Sequence, residues 1–268
     1  MIRQPIPRQW AVALGILSIV VLVSCYFFLS HRQHQKNPND KTIPNWTQLK
    51  EGIGKATEVN RRADERWVVV DAIATAKRLF LGLLFGVVGA LVLGMLMGCF
   101  AVFEAFLYPP LALLAKIPPT AMLAVFFVVA GTDTEMYIAM IAFGVLPTLA
   151  QTVYLAVKDV PDELQFKAYT LGASHAEVIW NVIFRQVLPK LLDSIRLQVG
   201  PAMVFLIAAE MVVGDVGFGY RIRIEFKKLN MNVVYPYLAL LAAFGFGMDF
   251  GLNRLQRWLC PWYAKEGK

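Results

Sequence analysis

Long apolar runs separated by short polar or proline-bearing breaks set the pattern of this chain. Residues 10–29, 79–103, 136–157, 191–213 and 233–252 are each long enough for a helix of about 20 residues to cross a hydrocarbon core of ~30 Å. A further run is punctuated by Tyr108-Pro109-Pro110 and by Lys116-Ile117-Pro118-Pro119 before it resumes over 122–130. Counting it as one crossing, the pattern predicts an all-α polytopic membrane protein with six transmembrane helices. Each proline pair removes backbone hydrogen bonds, which at membrane depth is tolerated where the backbone is buried in protein or lines a cavity. A proline pair that merely starts a helix is the alternative. In the second run, Gly82, Gly86, Gly89, Gly94 and Gly98 recur every three to five residues, the spacing of a helix face built for close packing.

Between the fourth and fifth apolar runs lies a charged interruption that must sit in water. Asp162 and Glu163 follow Pro161 as a helix start, Gly172 breaks the helical pattern, and residues 176–184 resume it ahead of Pro189. This reads as two short helices meeting at a glycine. Gly172 leaves the backbone open to close approach, while Phe166, Tyr169 and Trp180 supply aromatic anchors for a partner's groove.

Three stretches resemble one family. Ala168-x-x-Leu171-Gly172-Ala173-Ser174 followed by Leu188-Pro189 is similar to the cytoplasmic coupling loop of ABC importer permeases, whose consensus is Glu-Ala-Ala, three residues, then Gly. Pro109-Pro110-x-x-x-Leu114-x-x-Ile117-Pro118-Pro119 and Ala209-Glu210-Met211 with Gly214, Gly217, Gly219 and Tyr220 resemble the nitrate, sulfonate, taurine and bicarbonate branch of that family. The resemblance spans about 79–252. It departs where the family has Glu-Ala-Ala, because Phe166-Lys167-Ala168 stands there and Lys167 is left to pair with an acidic group instead.

The resemblance implies a type I importer permease fold. It also implies a permease pair, homodimeric or heterodimeric, cytoplasmic ABC ATPase subunits that carry the ATP and Mg, and an external solute-binding protein. On this reading Phe166, Lys167, Ala168, Tyr169, Gly172, Ala173, Ser174 and Glu177 couple to the ATPases. Pro118, Pro119, Met122, Phe126, Phe127 and Glu210 belong to the translocation path for a small oxyanion.

Composition agrees with a lipid-embedded chain: 57% of its 268 residues are hydrophobic. The formal charge of +7 is dispersed at the ends of apolar runs with no basic stripe, which argues against a nucleic-acid partner and makes charge useful for orientation. Arg3 and Arg8 before the first run, Lys158, Lys167, Arg185 and Lys190 around the loop, and Arg254, Arg257, Lys265 and Lys268 at the end place both termini and the loop in the cytoplasm of an inner-membrane protein. The organisation expected is a cytoplasmic N-terminus and first span (1–30) and an external polar arm (31–70). A five-span permease core (71–255) with the coupling loop at 159–189 follows, and then a cytoplasmic tail (256–268). The arm's mixed charges from Lys50 to Arg66 read as a solvated or interfacial amphipathic helix.

The chain has no GxxxxGK[ST] stretch, no Ser-His-Asp constellation and no paired intramembrane carboxylates, so a catalytic site, including ATP hydrolysis of its own, is not expected. Cys25, Cys99 and Cys260 lack disulfide or zinc spacing, and His31 with His34 makes at most half a metal site, so no metal is expected. Glu210 inside an apolar run costs ~2.5–3.5 kcal/mol, which fits either an ion path in a secondary carrier or channel, or a carboxylate neutralised by Lys77, Arg78 or the 214–219 turn. The carrier alternative lacks an inverted repeat.

Overall fold

The computed structural model describes residues 6–37, 40–58 and 66–263. Arg3, Arg61, Arg62, Asp64, Glu65, Lys265 and Lys268, used above for orientation or for the arm, lie outside the described residues. Among those described, no β-strand forms.

The chain divides into two compact units. The first combines the N-terminal 67 residues with Ile222–Leu238. Its α1 (Arg8–Lys36) is the first apolar run, with large side chains exposed from Trp10 to Leu29. Polar groups at its end fasten the following turn: Tyr26 Oη donates to the Pro44 carbonyl at 2.8 Å and Ser30 Oγ to that of Ile43 at 3.1 Å. The amphipathic arm appears as α2 (Trp46–Thr57), opened by a reciprocal cap between Asn45 and Gln48. Gly52 of α2 lies against the Asn232 carbonyl so closely that no Cβ fits.

The second unit comprises Val68–Arg221 and Ala239–Lys268. Here α3 (Trp67–Cys99) runs beside α6 (Thr134–Lys158) through the expected glycine face. A Cβ on Gly82 would come 2.6 Å from Ile141 Cβ, and one on Gly94 or Gly98 2.5 Å from Val153 or Val157 Cβ, so only glycine permits this approach. The interior is completed by α9 (Phe184–Val213), whose Leu191, Val199 and Leu206 join Val145, Leu149 and Val153 of α6 in one buried cluster. The remaining helices are α4 (Ala101–Leu114), α5 (Leu123–Ala130), α7 (Asp162–Thr170), α8 (His175–Glu177), α10 (Phe218–Lys227) and α11 (Met231–Leu259). The last two pass from one unit into the other.

Among the described residues, five helices are long and apolar enough to cross a membrane, and α4 with the segment Pro119–Ala130, bent by 81°, makes six when the bent pair is counted as one crossing. The all-α, six-span architecture is thus as the sequence predicts, with three local corrections. The second span ends at Cys99 rather than 103, because Phe100 turns to extended backbone and starts α4. Pro109 and Pro110 do not break anything: they sit inside α4, and the bend falls after Leu114, at the second proline pair. Pro189 does not close the loop's second helix either. From His175 the chain stays helical to Val213, through a π-helical turn over Val178–Ile183, and the Pro189 carbonyl accepts from Gln256 Nε2 at 3.0 Å.

Candidate functional site

The polar interruption between α6 and α9 folds into a sharply defined elbow. Helix α7 starts on Pro161 and ends where Gly172 takes φ +86°, a left-handed value that favours glycine. Gly172 N donates to the Tyr169 carbonyl at 2.9 Å and Ala173 N to that of Ala168 at 3.1 Å, the paired bonds of a Schellman stop. Ser174 then caps α8: its Oγ accepts from Glu177 N at 3.4 Å, while Glu177 Oε2 accepts from Ser174 N at 2.8 Å. Across the turn Tyr169 Oη meets His175 Nδ1 at 2.9 Å.

Every coupling candidate therefore lies on one short elbow. Ala168 and Ala173 pack against the core, whereas Phe166, Lys167, Tyr169, Gly172, Ser174 and Glu177 are exposed. A Cβ on Gly172 would meet nothing within 4 Å, so its backbone geometry, not crowding, requires the glycine. Leu171, 88% exposed, is a large apolar side chain that the sequence did not mark as a coupling candidate. Trp180 is exposed and stacks on Phe184 with ring centroids 4.7 Å apart. Behind the elbow, Tyr154 Oη donates to Glu104 Oε1 at 2.5 Å and Lys158 Nζ to Glu104 Oε2 at 2.8 Å, tying α4 to α6.

A second feature forms at the bend between α4 and α5. Pro118 and Pro119 line a cavity of about 380 Å³ together with Lys116, Pro147 and Thr148 of α6, and Gln198 and Pro201 of α9. Gly144 lets the walls meet, since a Cβ there would come 2.5 Å from Phe205 Cε2 and 2.8 Å from Pro119 Cγ. Gln198 Nε2 donates to Thr148 Oγ1 at 3.2 Å. Met122, Phe126 and Phe127 lie just beyond and do not line it; Phe126 instead packs edge-on against Phe143 at 5.5 Å.

Glu210 is elsewhere, fully buried in a network of opposite charges. Arg78 Nη1 donates to Glu210 Oε1 at 3.0 Å and to the Val216 carbonyl at 2.7 Å, and its guanidinium lies 4.1 Å over the Tyr137 ring. Thr75 Oγ1 and the Gly219 N–H also donate to Glu210. One helical turn earlier, Asp71 accepts from Gly217 N at 3.0 Å and from Arg221 Nε at 2.9 Å. Of the partners expected for Glu210, Arg78 and the 214–219 turn supply them, while Lys77 is exposed. Asp71, Thr75 and Arg221 are not among the sequence-predicted residues, because they sit outside the apolar runs.

Residues 86–265 match the family described as binding-protein-dependent transport system inner membrane component. The chain belongs to this family. The permease is 30% identical over 192 residues to the taurine transport system permease protein TauC of Escherichia coli (strain K12), covering 72% of this chain and 70% of that one. It is 29% identical over 185 residues to the putative aliphatic sulfonates transport permease protein SsuC of Bacillus subtilis (strain 168), covering 69% and 67%. Among solved structures it resembles a chain of the MetNI methionine ABC transporter, with a TM-score of 0.60 at 21% identity over 70% of this chain and 94% of that one. That likeness establishes the type I importer fold of the permease. The matched stretch takes in the elbow, the bend cavity and Glu210, but leaves out Asp71, Thr75 and Arg78.

Proposed function

We propose that this permease forms the path of an ATP-driven importer for a small sulfonate or related oxyanion, paired with a second permease copy and coupled through its elbow to cytoplasmic ATPase subunits. The observation that carries the coupling role is the elbow itself. A segment capped at both helix ends, holding Phe166, Leu171 and Trp180 out in water, presents rigid apolar anchors to a partner's groove. The absence of a phosphate-cradling GxxxxGK[ST] stretch from the sequence supports ATP and Mg on the partners. An external binding protein follows from the family description, and the sulfonate class from the similarity to TauC and SsuC. Counting the bent pair as one crossing, this reading has the elbow and both termini in the cytoplasm.

A secondary carrier would use Glu210 as an ion ligand. Its enclosure by Arg78, Thr75 and Gly219 N–H favours a structural part instead.

The coupling role is tested by co-purifying the permease with its ATPase subunits. Leu171→Asp and Phe166→Ala should reduce the bound ATPase while leaving membrane-extracted permease in normal yield. Full retention of the ATPase by both variants would remove the elbow from the interface.

A further inference from the structure

The cavity at the α4–α5 bend carries an inference that rests on the importer reading and goes into its chemistry. Its position is set by helix geometry. Pro147 and Thr148 lie near the middle of α6, Thr148 being ten residues, about 15 Å, before its end at Lys158, so the cavity sits near the mid-length of that span. Four prolines from three elements converge on it: Pro118, Pro119, Pro147 and Pro201. Each withdraws a backbone N–H at membrane depth, an arrangement tolerated where the backbone faces protein or a polar cavity rather than lipid.

Its charge is the deciding feature. A cation within a span is costly, and several in this unit meet carboxylates: Arg78 meets Glu210, Lys158 meets Glu104, and Arg196 meets Asp249 at 2.8 Å. Lys116 lines the cavity, and no ion pair with it occurs among the described residues. Beside it stand two side chains able to donate to oxygen, the Gln198 amide and the Thr148 hydroxyl, held together by their own hydrogen bond.

We propose that this cavity is an oxyanion subsite within the permease, where Lys116 supplies the countercharge and Gln198 and Thr148 bond the oxygens of a sulfonate or nitrate group. The site gives the permease a selection step of its own. It admits solutes that carry an anionic oxygen group after release from the binding protein and disfavours solutes without one.

The test uses the permease with its ATPase partners in proteoliposomes, carrying Cys25→Ala, Cys99→Ala and Cys260→Ala, with Ala115→Cys as the single thiol on the cavity wall. Labelling by an anionic thiol reagent is followed against taurine, ethanesulfonate and nitrate, with a neutral sugar as control. The oxyanions should slow labelling and the sugar should not. Lys116→Met should raise the half-protecting concentration roughly 10- to 100-fold, the loss of one charge-assisted hydrogen bond, and Lys116→Arg should restore most of it. Gln198→Leu, which leaves Lys116 in place, should weaken protection about fivefold, as expected for one neutral bond.

Absence of oxyanion protection, or protection unchanged by Lys116→Met, overturns the subsite. ATP-driven uptake measured on the same vesicles separates this from the broader reading. Uptake without protection removes the subsite alone, and protection without ATP-driven uptake retains it while the importer reading falls.

Discussion

Glu210 shows how single residues are placed in this molecule. Its carboxylate has no exposed surface, yet it receives bonds from Arg78, Thr75 and Gly219, and Arg78 in turn bonds the Val216 carbonyl. A buried pair of this kind gives little net stability as a pair, but losing one member strands the other charge at a cost of ~3–5 kcal/mol. Glu210→Gln and Arg78→Gln should therefore each lower the melting temperature of the detergent-purified permease clearly. The double substitution should cost less than the sum of the two. Additive losses in thermal unfolding would mean that the two groups are not coupled. The solute preference of the Glu210→Gln importer should stay unchanged in uptake competition. The sequence narrowed the partners to Lys77, Arg78 or the 214–219 turn; the turn contributes Gly219 N–H, and helix geometry decides between the two cations. Asp71, Thr75 and Arg78 share one helix face at spacings of four and three, and Lys77 falls outside it. That face was readable from spacing alone, but its polar residues precede the apolar run, so they looked like a water-side flank.

At the scale of elements, the elbow was the most legible part of the chain. Pro161 and Gly172 are local signals whose physics does not depend on distant contacts, and α7 and the glycine break stand where they predict, while the Ser174–Glu177 cap, equally local, starts α8 at His175, one residue before the expected 176. Because Gly172 is required by its φ of +86° in open space, the residue type should matter more than its size. Gly172→Asn should keep ATPase binding and solute-stimulated ATP hydrolysis near normal. Gly172→Val should lose much of both, since a β-branched side chain disfavours the left-handed region by at least ~1–2 kcal/mol. Equal behaviour of the two variants in an ATPase assay would contradict this account of the turn.

The proline pairs were less legible because a proline's effect depends on whether its missing N–H is needed. Pro109 and Pro110, exposed on the surface of α4, leave the helix intact, whereas Pro118 and Pro119 coincide with the bend. The glycine face of α3 makes a separate prediction. Gly94→Leu must displace Val153 and the Ala150 carbonyl, so the folded yield from membranes should fall sharply, while Gly54→Leu on the open side of α2 should leave it unaffected.

At the scale of the whole molecule, the proposed topology, with the bent pair as one crossing and the elbow and both termini in the cytoplasm, predicts a definite sidedness. On a background lacking the native cysteines, an impermeant thiol reagent should label Ser174→Cys only from the cytoplasmic face and Thr47→Cys only from the external face. Labelling of both from the same side would overturn the orientation. The family was legible because its marks lie in local breaks of an otherwise apolar chain. Asp71, Thr75 and Arg221 around Glu210, and the α6 and α9 walls of the bend cavity, were not, because they come from helices far apart in sequence.

The central claim, an importer permease driven by partner ATPases, is tested most directly by solute uptake into proteoliposomes containing the permease, its ATPase subunits and an external binding protein. With ATP on the elbow side, labelled taurine or another small sulfonate should accumulate inside against its gradient, and omission of either ATP or the binding protein should abolish accumulation. Uptake that proceeds without ATP and follows an imposed ion gradient would contradict the account and establish a secondary carrier in its place.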